Sequence, residues 1–249
     1  MKAKTSIIFG IHPVNEAVRS GKPLDKVLLK HGFRNEMVPG LFPAMKEQNI
    51  PYQYVPVEKL NRLTGKNHQG IVALTSEVEY TDLEKLIPIL FDEGKLPAVV
   101  LLDGITDVRN LGAISRSAEC AGFHAMILPA KGSAQINADA IKTSAGALNT
   151  LPVCRVNSLA DTAKYLRESG FQLIAATEKA ADYIYSPDFT KPVALIMGSE
   201  DTGIDPRLLK MADMVVKIPM YGTIQSLNVS AAASVIFYEI VRQRNFLSL

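Results

Sequence analysis

Six short, almost wholly aliphatic runs recur through the second half of the chain: AVVLLDG, HAMILP, LPVCRV, QLIAAT, VALIMGS and MVVKIPM. None alternates polar with apolar residues, as a strand with one wet face would. A strand that is apolar on both sides needs cover on both, and sheets covered on both faces are built from parallel strands with helical crossovers. The second half therefore predicts a mostly parallel α/β layer structure. A chain of 249 residues is long enough for one large domain or two modest ones.

The first half predicts a smaller α/β unit. GIHPVNEAVRSG carries Val14, Ala17 and Val18 at helical spacing and stops at Gly21. KVLLK, YQYVP and GIVALTSEV read as strands, MVPGLFPAMKEQNI as a helix interrupted early by prolines, and EKLNRLTG as a short helix closing on Gly65. EYTDLEKLIPILFDEGKLPA then reads as an acidic, amphipathic connector. The domains expected are residues 1–77, a linker at 78–96, and residues 97–249.

Composition narrows the class without naming a function. Hydrophobic residues make up 47% and charged residues 21%, a globular mix, and the net charge of +2 accommodates a polyanionic partner without demanding one. Cys120 and Cys154 show no C-x-x-C spacing, so a reduced, cytoplasmic protein with both thiols in its core is expected. The apolar start at Ile7–Phe9 is too short for a signal segment, and no run approaches the roughly 20 residues of a membrane helix. His12, His31, His68 and His124 lack H-E-x-x-H spacing, so no metal is expected. Phosphate loops of the G-x-G-x-x-G and G-x-x-x-x-G-K-[ST] kinds are absent, and so is a G-x-S-x-G elbow.

Ligands of open parallel sheets settle beyond the carboxyl ends of the strands, and three exits here are unusual. In LLDGITDVRNLGAISRSAECAGF a helix is expected to begin near Asn110 or Leu111, with Asn110 able to cap it and Gly112 allowing close approach. Arg116 and Glu119, three apart, share a helix face and would on their own read as an exposed ion pair. In VALIMGSEDTGI a buried strand runs into Gly198, Ser199, Glu200 and Gly203. A carboxylate straight after such a strand needs a partner, either a ligand or the next turn. The third exit, VVKIPMYGTIQSLNVSAAA, crosses Pro219 and Gly222 and enters a helix around residues 226–228. A capping role explains one of Ser226 and Asn228, but not their concentration beside Gln225. The alanines at 231–233 predict close packing against another element.

Taken in order, NLGAISRSAECAGF, ALIMGSEDTGI and IPMYGTIQSLNVSAAASVIFYE resemble the three motifs of the SpoU (TrmH-like) branch of the SPOUT RNA methyltransferases. IFGIHPVNEAV and HQGIVAL resemble the small, ribosomal-protein-like substrate-binding domain of the branch that methylates ribosomal RNA on the ribose 2′-hydroxyl. The resemblance spans nearly the whole chain. It implies a C-terminal α/β domain threaded into a deep trefoil knot, S-adenosylmethionine as cofactor, and a homodimer whose knot helices pack together. Arg116 would be the central catalytic residue, with Asn110, Glu200, Ser226 and Asn228 shaping the site. Thr177, Gly198, Glu200, Ile218, Met220, Ser226, Leu227 and Asn228 would bind the cofactor. The irregular stretch at 219–228 would then be irregular because its backbone meets a ligand.

A guanidinium with a pKa above about 12 is a poor base, so Arg116 is expected to hold a backbone phosphate whose oxygen accepts the hydroxyl proton, although a direct base role stays open. Glu200 would orient Arg116 or Asn110. Lys26, Lys30, His31, Arg34, Lys66 and His68 of the first domain are expected to contact RNA phosphates. Ribosomal RNA is the expected substrate and guanosine the expected nucleoside. The alternatives are transfer RNA, a non-catalytic knotted RNA-binding protein, and a small-molecule α/β enzyme.

Overall fold

The computed structural model describes residues 6–246; the lysines at positions 2 and 4 lie outside them. Contacts divide the chain into Met1–Glu79 with Gln135–Ala138, and Tyr80–Ala134 with Asp139–Leu249.

The first unit holds β1 (Ile7–Phe9), α1 (Ile11–Arg19), β2 (Leu24–Lys30), α2 (Leu41–Glu47), β3 (Tyr52–Val55), α3 (Val57–Leu63) and β4 (Ile71–Thr75). Its four strands are ordered β1-β4-β2-β3, antiparallel except for the β2–β3 pair. Val14 and Val18 seat α1 on Val27, Leu29 and Ile71 of the sheet, all fully buried. Gly21 ends α1 as expected: at φ 70° its N–H reaches Val18 O while Lys22 N reaches Ala17 O. Pro43 lies within the first turn of α2, where its missing N–H costs nothing.

The turn before β4 is closed by its own side chains. His68 Nδ1 accepts from Gly70 N at 3.0 Å, so Nε2 carries the proton and donates to Asn61 Oδ1 at 2.8 Å. Gln69 Oε1 accepts from Ile11 N at 2.9 Å and caps α1 from a distant part of the chain. His68 is thus buried with both nitrogens engaged, which corrects its assignment as a phosphate contact. Lys30, His31, Arg34 and Lys66 keep solvent access; Lys66 Nζ stands 5.9 Å from the Phe9 ring centre.

The second unit opens with α4 (Leu83–Asp92) and continues through β5 (Ala98–Asp103), α5 (Val108–Cys120), β6 (Ala125–Pro129), α6 (Ala138–Thr143), β7 (Val153–Val156), α7 (Leu159–Glu168), β8 (Gln172–Ala176), β9 (Asp182–Tyr183), β10 (Val193–Gly198), α8 (Pro206–Met211), β11 (Met214–Lys217) and α9 (Val229–Phe246). Its seven strands run parallel in the order β7-β6-β5-β10-β8-β11-β9. Val99, Leu101, Ile174, Leu195 and Ile196 are fully buried, and each such side chain contributes about 1.5–3 kcal/mol by leaving water. The stretch read as a connector contains α4, whose Leu83, Ile87 and Leu90 belong to this unit's core and whose Phe91 meets Phe171 edge-on. Cys154 is buried in that core, but Cys120 is exposed at the last position of α5, which corrects its expected burial. Leu111, Ile114, Ser115 and Ala118 occupy the buried side of that helix instead.

Candidate active site

The carboxyl ends of β8, β10 and β11 open onto a cavity of about 380 Å³. Its floor depends on glycine. A Cβ on Gly198 would stand 2.2 Å from the carbonyl carbon of Gly203 and 2.4 Å from Ile204 N, because the turn after β10 folds straight back on it. Ser199 Oγ accepts from Thr202 N at 3.1 Å, and Gly203 N donates to Ser199 O at 2.9 Å, closing that turn. Asp103 Oδ2, at the end of β5, accepts from Asp205 N at 2.7 Å. Hydrogen bonds from Arg207 hold Asp205 at a pKa of about 2.

The opposite wall is residues 218–227. Among the described residues, no backbone group of this segment pairs with another backbone group. Tyr221 is 96% exposed and Ile224 73%. Backbone N–H and C=O groups left free beside a cavity are a ligand's natural partners. Thr177, Gly198, Glu200, Ile218, Met220, Ser226 and Leu227 all line the cavity; Asn228 does not. Ala176, Lys179, Lys217 and Ile236 line it too, and sequence reasoning did not single them out; Ala232, one of the alanines expected to pack closely, also lines it. Ala232 and Ile236 bring α9 to the cavity one helical turn apart, while the close packing its alanines foretold is against α5, where Ala233 is fully buried and Ser234 meets Ser117.

A polar cluster sits at the start of α9. Asn228 caps that helix, its Oδ1 accepting from Ser230 N at 3.0 Å and Ser230 Oγ at 2.6 Å. Its Nδ2 donates to Asn110 Oδ1 at 3.0 Å and to Glu200 Oε1. Glu200 Oε1 also accepts from Val229 N at 3.0 Å. The carboxylate that needed a partner thus terminates a helix far along the chain, where the positive helix end favours it. Glu200 reaches Asn110 through Asn228, and it forms no ion pair with Arg116.

Asn110 does not cap α5. That helix begins at Val108, and Asp107 caps it by accepting from Arg109 N at 2.6 Å and Asn110 N at 3.2 Å. Asn110 is thereby released to face Asn228. Arg116 projects from the same helix six residues on, about 9 Å along its axis. It is exposed, with no ion pair to Glu119 or any other described residue. Ser117, beside it, touches Ser234 of α9, the two hydroxyl oxygens 2.7 Å apart. Gly112 lets α6 approach: a Cβ there would meet Thr143 Cβ at 2.7 Å and Ala140 O at 2.9 Å. The described residues contain no group of three or more metal-ligating side chains, and no helix long and apolar enough to cross a membrane.

Comparison with known proteins places this geometry. Residues 97–238 match the SpoU rRNA Methylase family, and residues 7–81 match a domain described as RNA 2′-O ribose methyltransferase substrate binding. A protein of Staphylococcus haemolyticus named as a TrmH family tRNA/rRNA methyltransferase is 37% identical over 240 residues, 96% of each chain. The SpoU methyltransferase AviRb of Streptomyces viridochromogenes, solved in complex with the cofactor AdoMet, superposes with a TM-score of 0.60 at 27% identity over 96% of this chain and 90% of that one. The A. aeolicus TrmH/SpoU tRNA modifying enzyme gives 0.56 at 30% identity, over 67% of this chain and 86% of that one. The chain belongs to the SpoU (TrmH) family of RNA methyltransferases.

Proposed function

We propose that this chain uses S-adenosylmethionine to methylate a ribose 2′-hydroxyl, that of a guanosine in large-subunit ribosomal RNA. The observation that carries the cofactor is the cavity at the ends of β8, β10 and β11, walled on one side by free backbone and floored by glycine. Thr177, Gly198, Ile218, Met220, Ser226 and Leu227 would hold the cofactor there. Once bound, it supplies a methyl group on a positively charged sulfur, already activated toward an oxygen nucleophile.

The protein's task is then to place that oxygen and help it lose its proton. Arg116 is exposed, unpaired and permanently charged, which suits a hold on a backbone phosphate beside the target ribose. An oxygen of that phosphate, held in place by Arg116, would take the hydroxyl proton. Asn110 has its Oδ1 occupied by Asn228, so its NH₂ is the end free to donate to a ribose oxygen. Glu200 and Asn228 act as the frame.

Ribosomal rather than transfer RNA is favoured by the first unit. The A. aeolicus tRNA enzyme matches only 67% of this chain, whereas the substrate-binding domain here matches residues 7–81. Charge agrees: residues 1–79 carry eleven lysines and arginines against seven carboxylates, and residues 80–249 carry sixteen against eighteen. Lys26, Lys30, His31, Arg34 and Lys66 would meet RNA phosphates. The exposed Val235 and Tyr238 of α9 fit a helix packed against a second copy in a homodimer, with the chain knotted around the cavity. An exposed Cys120 and a buried Cys154, both unpaired, fit work in the cytoplasm.

Methyl transfer from labelled S-adenosylmethionine to protein-free ribosomal RNA and to transfer RNA, followed by nucleoside analysis, tests this reading. A 2′-O-methylated guanosine in large-subunit RNA is the expected product. Label in transfer RNA alone would reassign the substrate.

A further inference from the structure

Ser230 takes no part in the chemistry above, yet it holds the residue at the centre of the polar cluster. Its N–H and its hydroxyl both donate to Asn228 Oδ1, at 3.0 and 2.6 Å. A side-chain amide has two nearly isosteric orientations, and its partners choose between them. With Oδ1 committed to Ser230, Nδ2 faces the other way, toward Asn110 Oδ1 and Glu200 Oε1. Reversed, the amide would set its oxygen against a carboxylate and a carbonyl, and its NH₂ against the N–H of Ser230.

We propose that Ser230 is a positioning residue for methyl transfer: by fixing the orientation of the Asn228 amide it decides which atoms Asn110 and Glu200 present to the substrate. The proposal rests on the methyl-transfer reading of this site. Asn110 keeps both hydrogens of its NH₂ for the substrate, since its oxygen is turned toward Asn228. Glu200 can offer only Oε2, because Oε1 already accepts from Asn228 and Val229 N. The hold continues beyond the cap. Ser230 O accepts from Ser234 Oγ at 2.9 Å, and Ser234 touches Ser117, the neighbour of Arg116. Hydrogen bonds thus tie the first turns of α9 to the helix that carries both Asn110 and Arg116.

Helix capping and amide positioning make opposite predictions for one substitution. A carboxylate in the first turn of a helix is favoured by the helix dipole. If Ser230 only stabilises the start of α9, Ser230→Asp keeps both its melting temperature and its activity. If Ser230 orients Asn228, the new carboxylate attracts Nδ2, turns the amide around, and methyl transfer falls.

The experiment measures kcat and KM for RNA, calorimetric binding of S-adenosylmethionine, and thermal unfolding in Ser230→Ala, Ser230→Thr and Ser230→Asp. We expect kcat to fall about fivefold to tenfold in the alanine variant, the worth of one hydrogen bond, and to recover in threonine, which keeps the hydroxyl. In the aspartate variant kcat falls about 100-fold while cofactor affinity holds and the protein stays folded. Aspartate activity within about twofold of the unmodified protein overturns the proposal, as does an alanine loss that threonine does not restore. If the unmodified protein methylates neither RNA, the methyl-transfer reading falls by itself. The ¹⁵N–¹H side-chain signals of Asn228 then still decide the orientation: resonances unmoved in Ser230→Asp refute it, and a marked shift supports it.

Discussion

Two polar, glycine-bearing segments of this molecule look alike in sequence and behave as opposites. In residues 68–70 each side chain or amide is spent on another part of the same unit: His68 on Gly70 and Asn61, Gln69 on Ile11. In residues 218–227 the backbone is paired with no other backbone, and Tyr221 and Ile224 stand in solvent. The first segment satisfies itself and is structure. The second leaves its hydrogen-bonding capacity beside a cavity, and in the function proposed above it would meet the cofactor. Polarity and glycine content do not separate the two; where the hydrogen bonds go does.

If that contrast is right, changes around the open segment should cost activity and changes around the closed one should cost stability. The largest effect is expected for Arg116→Ala: methyl transfer falls about 10³-fold while cofactor affinity and melting temperature are kept, since the exposed side chain makes no ion pair among the described residues. Loss of folding with it would make Arg116 structural and blur the contrast. Gly198→Ala comes next. Its methyl would lie within van der Waals overlap of the Gly203 backbone, so calorimetry should find no cofactor binding, and unfolding should show about 3 kcal/mol lost. Gln69→Ala removes a helix cap and should cost about 1 kcal/mol, with faster amide exchange at Ile11 and unchanged kcat.

A pH measurement sharpens the comparison within the second unit. Burial, with Arg244 and Lys95 nearby, holds the His124 pKa below its ordinary 6.5. The unfolded chain therefore binds this proton more readily. The stability it contributes is present above pH 6.5 and is lost as pH falls from there toward the lower folded value. Denaturant titrations between pH 7 and pH 5 should show a shallower loss in His124→Gln than in the unmodified protein. The smallest effect belongs to Gly222→Ala. No atom lies within 4 Å of the new methyl, so stability should change by less than about 0.5 kcal/mol. A larger loss would mean the open segment is held by contacts after all.

Much of the fold was legible because burial on both faces writes itself into sequence. The aliphatic runs became the parallel strands they predicted, and Gly21 ended its helix where expected. Strand β9 escaped notice since two residues carry no pattern. Asn110 was misread because DVRN offers two residues able to cap a helix, and local pattern cannot choose between Asp107 and Asn110. Glu200, Asn110 and Asn228 were singled out by their motifs, but their meeting depends on three strand exits converging, which only the folded sheet brings about. Ser230 carried no signal at all, being one small residue in a run of small residues. His68 was grouped with basic neighbours by composition and separated from them by burial.

Arg244, near the far end of α9, donates to the carbonyl oxygens of Phe189, Lys191, Leu96 and Pro97, binding the end of that helix to the entry of β5. The second unit is therefore fastened only once Arg244 has been made. The four-stranded sheet of the first unit is complete once Thr75 has been made. At about 5–20 residues per second, roughly 10 to 30 seconds of synthesis separate those two moments. Through that interval a newborn chain carries the finished sheet of its first unit ahead of a second unit whose aliphatic strands still wait for α9.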